Sequence, residues 1–405
     1  MPTTSANTLT AFDEEFWTPT MQDTFFKENV AIALADVDFR EILYEGVTVH
    51  KPYGSYPRVQ TYVKGTDIVV KDIGATDDSI SVDTTKIASF YVDDIDKIQN
   101  KYGAIKEFST FAQRQLNNAI DQSVISEYSN AGSALDEGDI GGTSGDGIVE
   151  STSNISNIFT VSQRALLNKK MRSPEKFALI GPRTLETIQL SLSQRETSFG
   201  DKVGVNGKVG DRFGFELYVS NNLPYSASLV TSANIVDTDT ITINGVVFTA
   251  DANGVADGAG HFSIGANNDA AVANLILAIN GTGTPGVSTY IALSAEDRQS
   301  IEEAGIVAVD GGSADSIDIT GFGDIVVSEE ITDGIDVWGS QTQYLLMGIK
   351  KAIALIIQKK PSIEFRPAQL RLGRYVHPWT MYGKGTWERN KNALVSVQLD
   401  TSSWV

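Results

Sequence analysis

Between Asp237 and Asp333 the chain carries 16 acidic residues and a single basic one, Arg298. A stretch this long and this anionic cannot lie against phosphates or an anionic bilayer, so it faces water. The flanks differ. The first 236 residues hold 31 acidic and 21 basic side chains, whereas Gly334–Val405 holds 4 and 10. The texture of the sequence changes at the same borders. Asn244-Gly245, set between Thr240–Asn244 and Val246–Ala250, predicts a tight hairpin. Val272, Leu275, Ile276 and Ile279 predict a short helix over Asn268–Asn280. Strands are expected at Ser288–Leu293, Ile306–Val309 and Ile317–Ile319. The segment 237–333 reads as a self-contained small domain inserted between two halves of a host. Excising 239–328 is expected to leave that host folded.

With 405 residues and 41% hydrophobic content, the host has ample material for a core. The absence of cysteine excludes disulfides and thiolate metal sites. No run approaches the ~18 apolar residues that span a bilayer, and no basic-then-apolar leader opens the chain. The expectation is a soluble protein of a reducing compartment, with no membrane partner.

Residues 1–12 read as a mobile arm. Thr18 can cap a helix that Pro19 opens, with Met21, Phe25, Phe26, Val30 and Leu34 at helical spacing. From Val47 to Ile95 the period changes to two: Val59, Thr61 and Val63, then Ile68 and Val70, then Ile80 and Val82. The polar stretch 74–79 reads as a turn, and the whole as a long hairpin of polar-faced strands. Alone in water such a hairpin is marginal, so it packs on its own domain or on a neighbour. Ile105, Phe108, Ala112, Leu116, Ala119, Ile120 and Val124 predict a long helix from Gly103 to Ala131. An acidic, glycine-rich loop follows at 136–147. Helices are then expected at 157–171 and 183–193, strands at 177–180 and 213–219, an apolar run at 344–357, and a closing strand at 395–399.

The search for chemistry yields little. His50, His261 and His377 are far apart and have no ligand partner at motif spacing. Gly281-Thr-Gly-Thr-Pro-Gly286 matches a dinucleotide-loop pattern, but it follows a helix and not a strand. Gly207-Lys208 lacks the first glycine and the Ser/Thr of a phosphate loop, with Lys202 and Val209 in their places. Asp93, Asp94 and Asp96 lack the glycine and terminal glutamate of a calcium loop. Lys64 and Lys71 can in principle form an isopeptide bond with a neighbour's asparagine, although a solvated strand lysine is the simpler reading. No catalytic residue, cofactor or metal ligand is assigned, and the chain is not read as an enzyme.

The order of elements carries more. An arm, a short helix, a projecting hairpin, a long helix, an α/β domain and closing strands follow one another. Asp83-Thr-Thr-Lys-Ile-Ala-Ser-Phe-Tyr-Val-Asp-Asp-Ile-Asp96 resembles a hairpin strand returning into a peripheral domain. Phe108–Tyr128, with Ala119-Ile-Asp121, resembles a spine helix. Lys176-Phe-Ala-Leu-Ile-Gly-Pro182 and Gly210–Pro224 resemble axial strands. Gly383-Lys-Gly-Thr-Trp387 and Ala393-Leu-Val-Ser-Val397 resemble a closing motif. Together these are similar to the major capsid proteins of tailed double-stranded DNA phages, the Hong Kong 97 phage fold, over about 1–230 and 334–405.

The resemblance implies an α+β fold in six parts. These are an N-terminal arm and helix (1–46), an extended hairpin (47–96), a peripheral domain with the spine helix (97–150), a first axial part (151–236), the inserted surface domain (237–333) and the axial and peripheral return (334–405). It implies self-assembly into hexamers and pentamers of an icosahedral virion shell, assembled in the host cytoplasm around non-specifically held DNA. A separate scaffolding protein, a portal, and head-completion or decoration proteins are the implied partners. Intersubunit contacts would involve Phe16, Trp17 and Phe25 of the arm, Val59, Val63, Lys64, Lys71 and Val82 of the hairpin, and Trp338 near the axis. The alternatives are a tail or baseplate component, or an acidic adhesion module that binds a surface ligand through the insertion.

Overall fold

The structure, a computed structural model, describes residues 29–37, 46–57, 59–68, 70, 72–95, 104–193, 211–231, 235–252, 258–286, 288–312, 316–331, 338–368 and 372–402. The chain divides into two compact units. The larger holds Lys27–Thr85, Asn117–Lys359 and Met381–Val405.

The apolar run foreseen after residue 344 is the centre of the larger unit. Trp338–Ile349 is the central strand of a nine-stranded sheet. One edge pairs antiparallel first with Pro224–Val230 and then with Lys176–Ile180, and the other edge pairs with Leu394–Asp400. Where the strand is paired on both edges, consecutive residues Leu345, Leu346 and Met347 are all buried, so both of its faces are apolar there. Gly348 is required here, because a Cβ would stand 2.5 Å from the Ala393 carbonyl oxygen. Lys176–Ile180 and Glu216–Val219 run parallel. The helix Pro182–Ser193 between them opens with proline, whose missing N–H is no loss at that position. Ile120, Val124, Phe159, Leu179, Met347 and Val397 share one core.

The long helix spans Ala104–Ile125 and tightens into a 3-10 turn, Ser126–Asn130, so it stops short of Ala131. Tightening lets i+3 bonds satisfy the last carbonyls. The expected helix at 157–171 begins earlier, at Ile155, and ends at Asn168. Only Glu216–Val219 of the expected 213–219 strand is formed, since Phe213 and Gly214 both take positive φ and turn the chain. The expected helix opened by Pro19 lies outside the described residues. Only Ala31–Leu34 of its continuation forms a turn of helix within them.

The smaller unit contains Lys86–Leu116 and Lys360–Thr380. Phe90–Asp93 pairs antiparallel with 373–376. Phe90 meets Phe108 edge-on at 6.1 Å, and Tyr91 faces Tyr375 at 5.3 Å on the other side of the strand.

The acidic segment forms its own sheet, ordered His261–Ser263, Val246–Asp251, Thr240–Ile243, Val327–Glu330. The Asn244-Gly245 hairpin is present, both residues at positive φ as a tight primed turn demands. The helix Asn268–Asn280 ends in left-handed Gly281, so the glycine-rich match at 281–286 begins as a helix cap. Arg298 donates to the carbonyls of Ile279 at 2.7 Å and Ala278 at 2.6 Å, capping the same helix end. The one cation of the segment is therefore taken up internally.

Two expectations fail. Ser288–Leu293 is not a strand; its sheet pairing is limited to an isolated bridge between Tyr290 and Phe262. Ala295–Glu303 is a helix capped by Ser294, hidden from periodicity because Ile301 is its one buried hydrophobic residue. Nor is the segment self-contained. Ser316–Phe322 pairs along its length with Pro224–Val230, and Val307–Asp310 adds outside it, so both extend the host sheet. Tyr225, Leu229 and Trp338 lie in one core with Phe248, Phe262, Leu275 and Ile319.

Candidate assembly surfaces

The hairpin is built from its root outwards. Thr48–His50 pairs with Ser79–Ser81, and Tyr53-Gly54 pairs with Ala75-Thr76. Ser55 N donates to the Gly74 carbonyl at 2.8 Å, and Gly74 N returns a bond to Ser55 Oγ at 3.1 Å. Beyond that point the described residues form no strand. Thr66 donates from both N and Oγ1 to the Val63 carbonyl, closing a turn at Lys64-Gly65 where Gly65 takes φ +89°. The alternation at 59–70 is real in sequence, but among the described residues no strand pairing forms there.

Those side chains are instead bare. Val59 is fully exposed and Val70 is 88% exposed; Tyr56, Tyr62, Val63, Ile68 and Ile73 are exposed as well. Lys64 sits at the tip turn, also exposed. Large apolar groups exposed in such number are unusual on the surface of a monomer, which makes the tip a candidate contact surface.

The root is the opposite. Val49, Ile80 and Val82 are buried with Ala354, Ile356 and Trp387. Gly383 and Gly385 let the returning strand pass, since a Cβ at Gly383 would stand 2.3 Å from the Ser81 carbonyl oxygen. The glycines of the closing motif thus seat the hairpin. Trp387 begins a turn in which Asn390 N and Lys391 N donate to its carbonyl. From that turn Glu388 N donates to Asp78 Oδ2 at 2.7 Å, and Arg389 reaches Tyr53, Gly54 and Tyr56.

The residues singled out from sequence fall into three groups. Val59, Val63 and Lys64 stand exposed on the tip. Val82, expected from alternation, and Trp338, expected near the axis, are instead buried, each in a core of its own chain. Phe16, Trp17, Phe25 and Lys71 lie outside the described residues. Arg389 was not legible, because only folding brings it beside Tyr53 and Tyr56. The three histidines have different neighbours: His50 pairs with Asp77 at 2.6 Å, His377 bonds Ser89 Oγ at 2.8 Å, and His261 lies 3.9 Å from Asp251. Among the described residues no cluster of three or more metal-ligating side chains occurs, and no helix is long and apolar enough to cross a membrane.

A family model described as phage capsid protein matches residues 77–258, from the returning hairpin strand into the acidic segment. No curated protein matches the chain. Among solved structures it is similar to one from Mycobacterium phage Che8, at 14% identity over 95% of this chain and 97% of that one, with a TM-score of 0.58. It is also similar to the capsid structure of Cyanophage P-SCSP1u, at 11% identity over 98% and 96%, with a TM-score of 0.54. The Cyanophage Pam1 capsid asymmetric unit gives 10% identity over 100% of both chains and a TM-score of 0.51. Projecting hairpin, spine helix and strand order define a class, the α+β Hong Kong 97-type fold of tailed-phage major capsid proteins. The chain has the fold of that class, and its residues 77–258 match the phage capsid family.

Proposed function

We propose that copies of this chain form hexamers and pentamers that close into the icosahedral head of a virion around double-stranded DNA. The observation that carries this reading is the bare apolar tip between Tyr56 and Ile73. Fully burying one such side chain is worth about 1.5–3 kcal/mol. Even partial cover of this set by an adjacent subunit therefore yields a sizeable contact, repeated at every subunit of the shell.

Charge sets the sidedness of the shell: the acidic insertion, its lone arginine capping a helix, repels DNA and belongs outside. The basic surplus after Gly334 suits weak, sequence-independent phosphate contact within. A separate scaffolding protein, a portal and decoration proteins complete the set of partners, and assembly takes place in the host cytoplasm.

Negative-stain microscopy of the full chain, produced with its scaffolding partner, tests the reading. Closed shells are expected. Replacing 56–73 by Asn-Gly, which joins the bonded pair Ser55 and Gly74, should abolish shells while leaving the circular dichroism of the subunit unchanged. A strictly monomeric wild type at high concentration would overturn the proposal, and open rings or tubes would favour a tail component.

A further inference from the structure

We infer that Arg389 is a positioning residue for assembly: it fixes the direction in which the hairpin leaves the body of the subunit. The inference rests on the capsid reading for its consequence, but on local geometry for its cause. The guanidinium lies over two rings of the outgoing strand, 5.1 Å from the Tyr53 centroid and 4.8 Å from that of Tyr56. It also donates to the Tyr56 hydroxyl at 3.0 Å and to the Gly54 carbonyl. A planar, delocalised cation can stack and donate at once, which an ammonium cannot.

The same turn holds the other strand. Glu388 N donates to Asp78 Oδ2 on the returning side, so consecutive residues 388 and 389 grip both strands. The turn is anchored by Trp387, buried at 3% exposure, with Lys51 Nζ 5.3 Å above its ring. The grip sits at the point where pairing ends. Outward of Ser55 and Gly74 no strand pairing stiffens the described residues, so any play at residues 53–56 is carried to the tip. The tip's apolar side chains meet their partner only if that direction is right. The contact is solvent-exposed and modest, suited to biasing an angle and not to holding the fold together.

The absence of cysteine allows a direct measurement. Spin labels at Thr66→Cys on the tip and Arg164→Cys on the helix Ile155–Asn168 report the tip-to-body distance in unassembled full-length subunits. A narrow distribution is expected for the parent. Arg389→Ala and Arg389→Lys should broaden it at least two-fold, with an unchanged melting midpoint, and should scatter particle diameters or prevent closure. Equal widths in parent and variants would overturn the inference, as would uniform shells of parental diameter from both variants. If Arg389→Ala fails to fold, Arg389→Lys decides the matter, since it keeps the charge and loses the stacking. Absence of shells from the parent would sink the capsid reading alone, and the distance widths would still judge the clamp.

Discussion

The Asp121 carboxylate accepts the backbone N–H of Ala31 at 2.8 Å, joining the spine helix to the short helix Ala31–Leu34. The same oxygen lies 3.3 Å from Ile32 N, and the other accepts Asn222 Nδ2 at 3.1 Å. Three distant parts of the chain are tied at one side chain with no exposed surface. Asp121→Ala strands the Ala31 N–H and the Asn222 amide inside the protein, and Asn118 at 2.7 Å can satisfy only part of the latter. A loss of about 2–4 kcal/mol is expected from urea denaturation. An unchanged midpoint would show that the tie is dispensable.

Glu150 makes stability depend on pH. Both its carboxylate oxygens are sealed from solvent. Burial pushes its pKa up to about 7, with Thr184 and Arg183 pulling partly the other way. The folded chain therefore holds this proton more tightly than the unfolded chain, whose carboxyl titrates near the ordinary 4.5. Stability falls as pH rises between about 4.5 and about 7, then levels off, at a cost of about 3 kcal/mol. Burial raises the Asp121 carboxyl in the same sense. Glu150→Gln should raise stability at pH 8 by up to about 3 kcal/mol and much less at pH 5. Denaturation at both pH values checks this, and a gain no larger at pH 8 than at pH 5 would refute it.

What was legible beforehand follows from which interactions are local. The Asn244-Gly245 turn, the helix Asn268–Asn280 and the strand Lys176–Ile180 each carry their signal within a few residues, and each formed. The spine helix is legible from spacing, whereas its buried Asp121 is not, because its partners lie about a hundred residues away on either side. Alternation identified Val59 and Val82 as strand residues alike. It could not tell that one is bare and the other sits beneath Trp387, since that depends on where Gly383 and Gly385 let the chain cross. Charge marked out the acidic segment but not the pairing of Ser316–Phe322 with the host, because pairing is set by register and not by composition.

Asn280 closes an open sheet edge. Its side chain accepts Ala308 N at 2.9 Å and donates to the Ala308 carbonyl at 2.7 Å, occupying the outward groups of the edge strand Val307–Asp310. Val307 and Val309 beside them are half exposed, so an uncapped edge here would template pairing with another copy. Asn280→Ala, placed in the tip-shortened background so that shell assembly does not interfere, should self-associate with rising concentration. Sedimentation of the variant as a monomer at every concentration would show that the edge needs no cap.

Removing 239–328 should not leave a well-folded host, contrary to the expectation from sequence. The cut takes away Ser316–Phe322, which pairs residue for residue with Pro224–Val230 from Pro224↔Phe322 to Val230↔Ser316. It also takes the helix Asn268–Asn280 and the second sheet, which share a core with Tyr225, Leu229 and Trp338. Each of these three is at most 4% exposed in the intact chain. Exposing them forfeits roughly 1.5–3 kcal/mol apiece, a large share of the 5–15 kcal/mol that holds a typical domain together. The excised chain should therefore melt at lower temperature and aggregate. Adding Tyr225→Thr, Leu229→Thr and Trp338→Ser should restore solubility without restoring the midpoint. Parental cooperativity in the simple excision, measured by calorimetry, would mean that the shared core contributes nothing to the host.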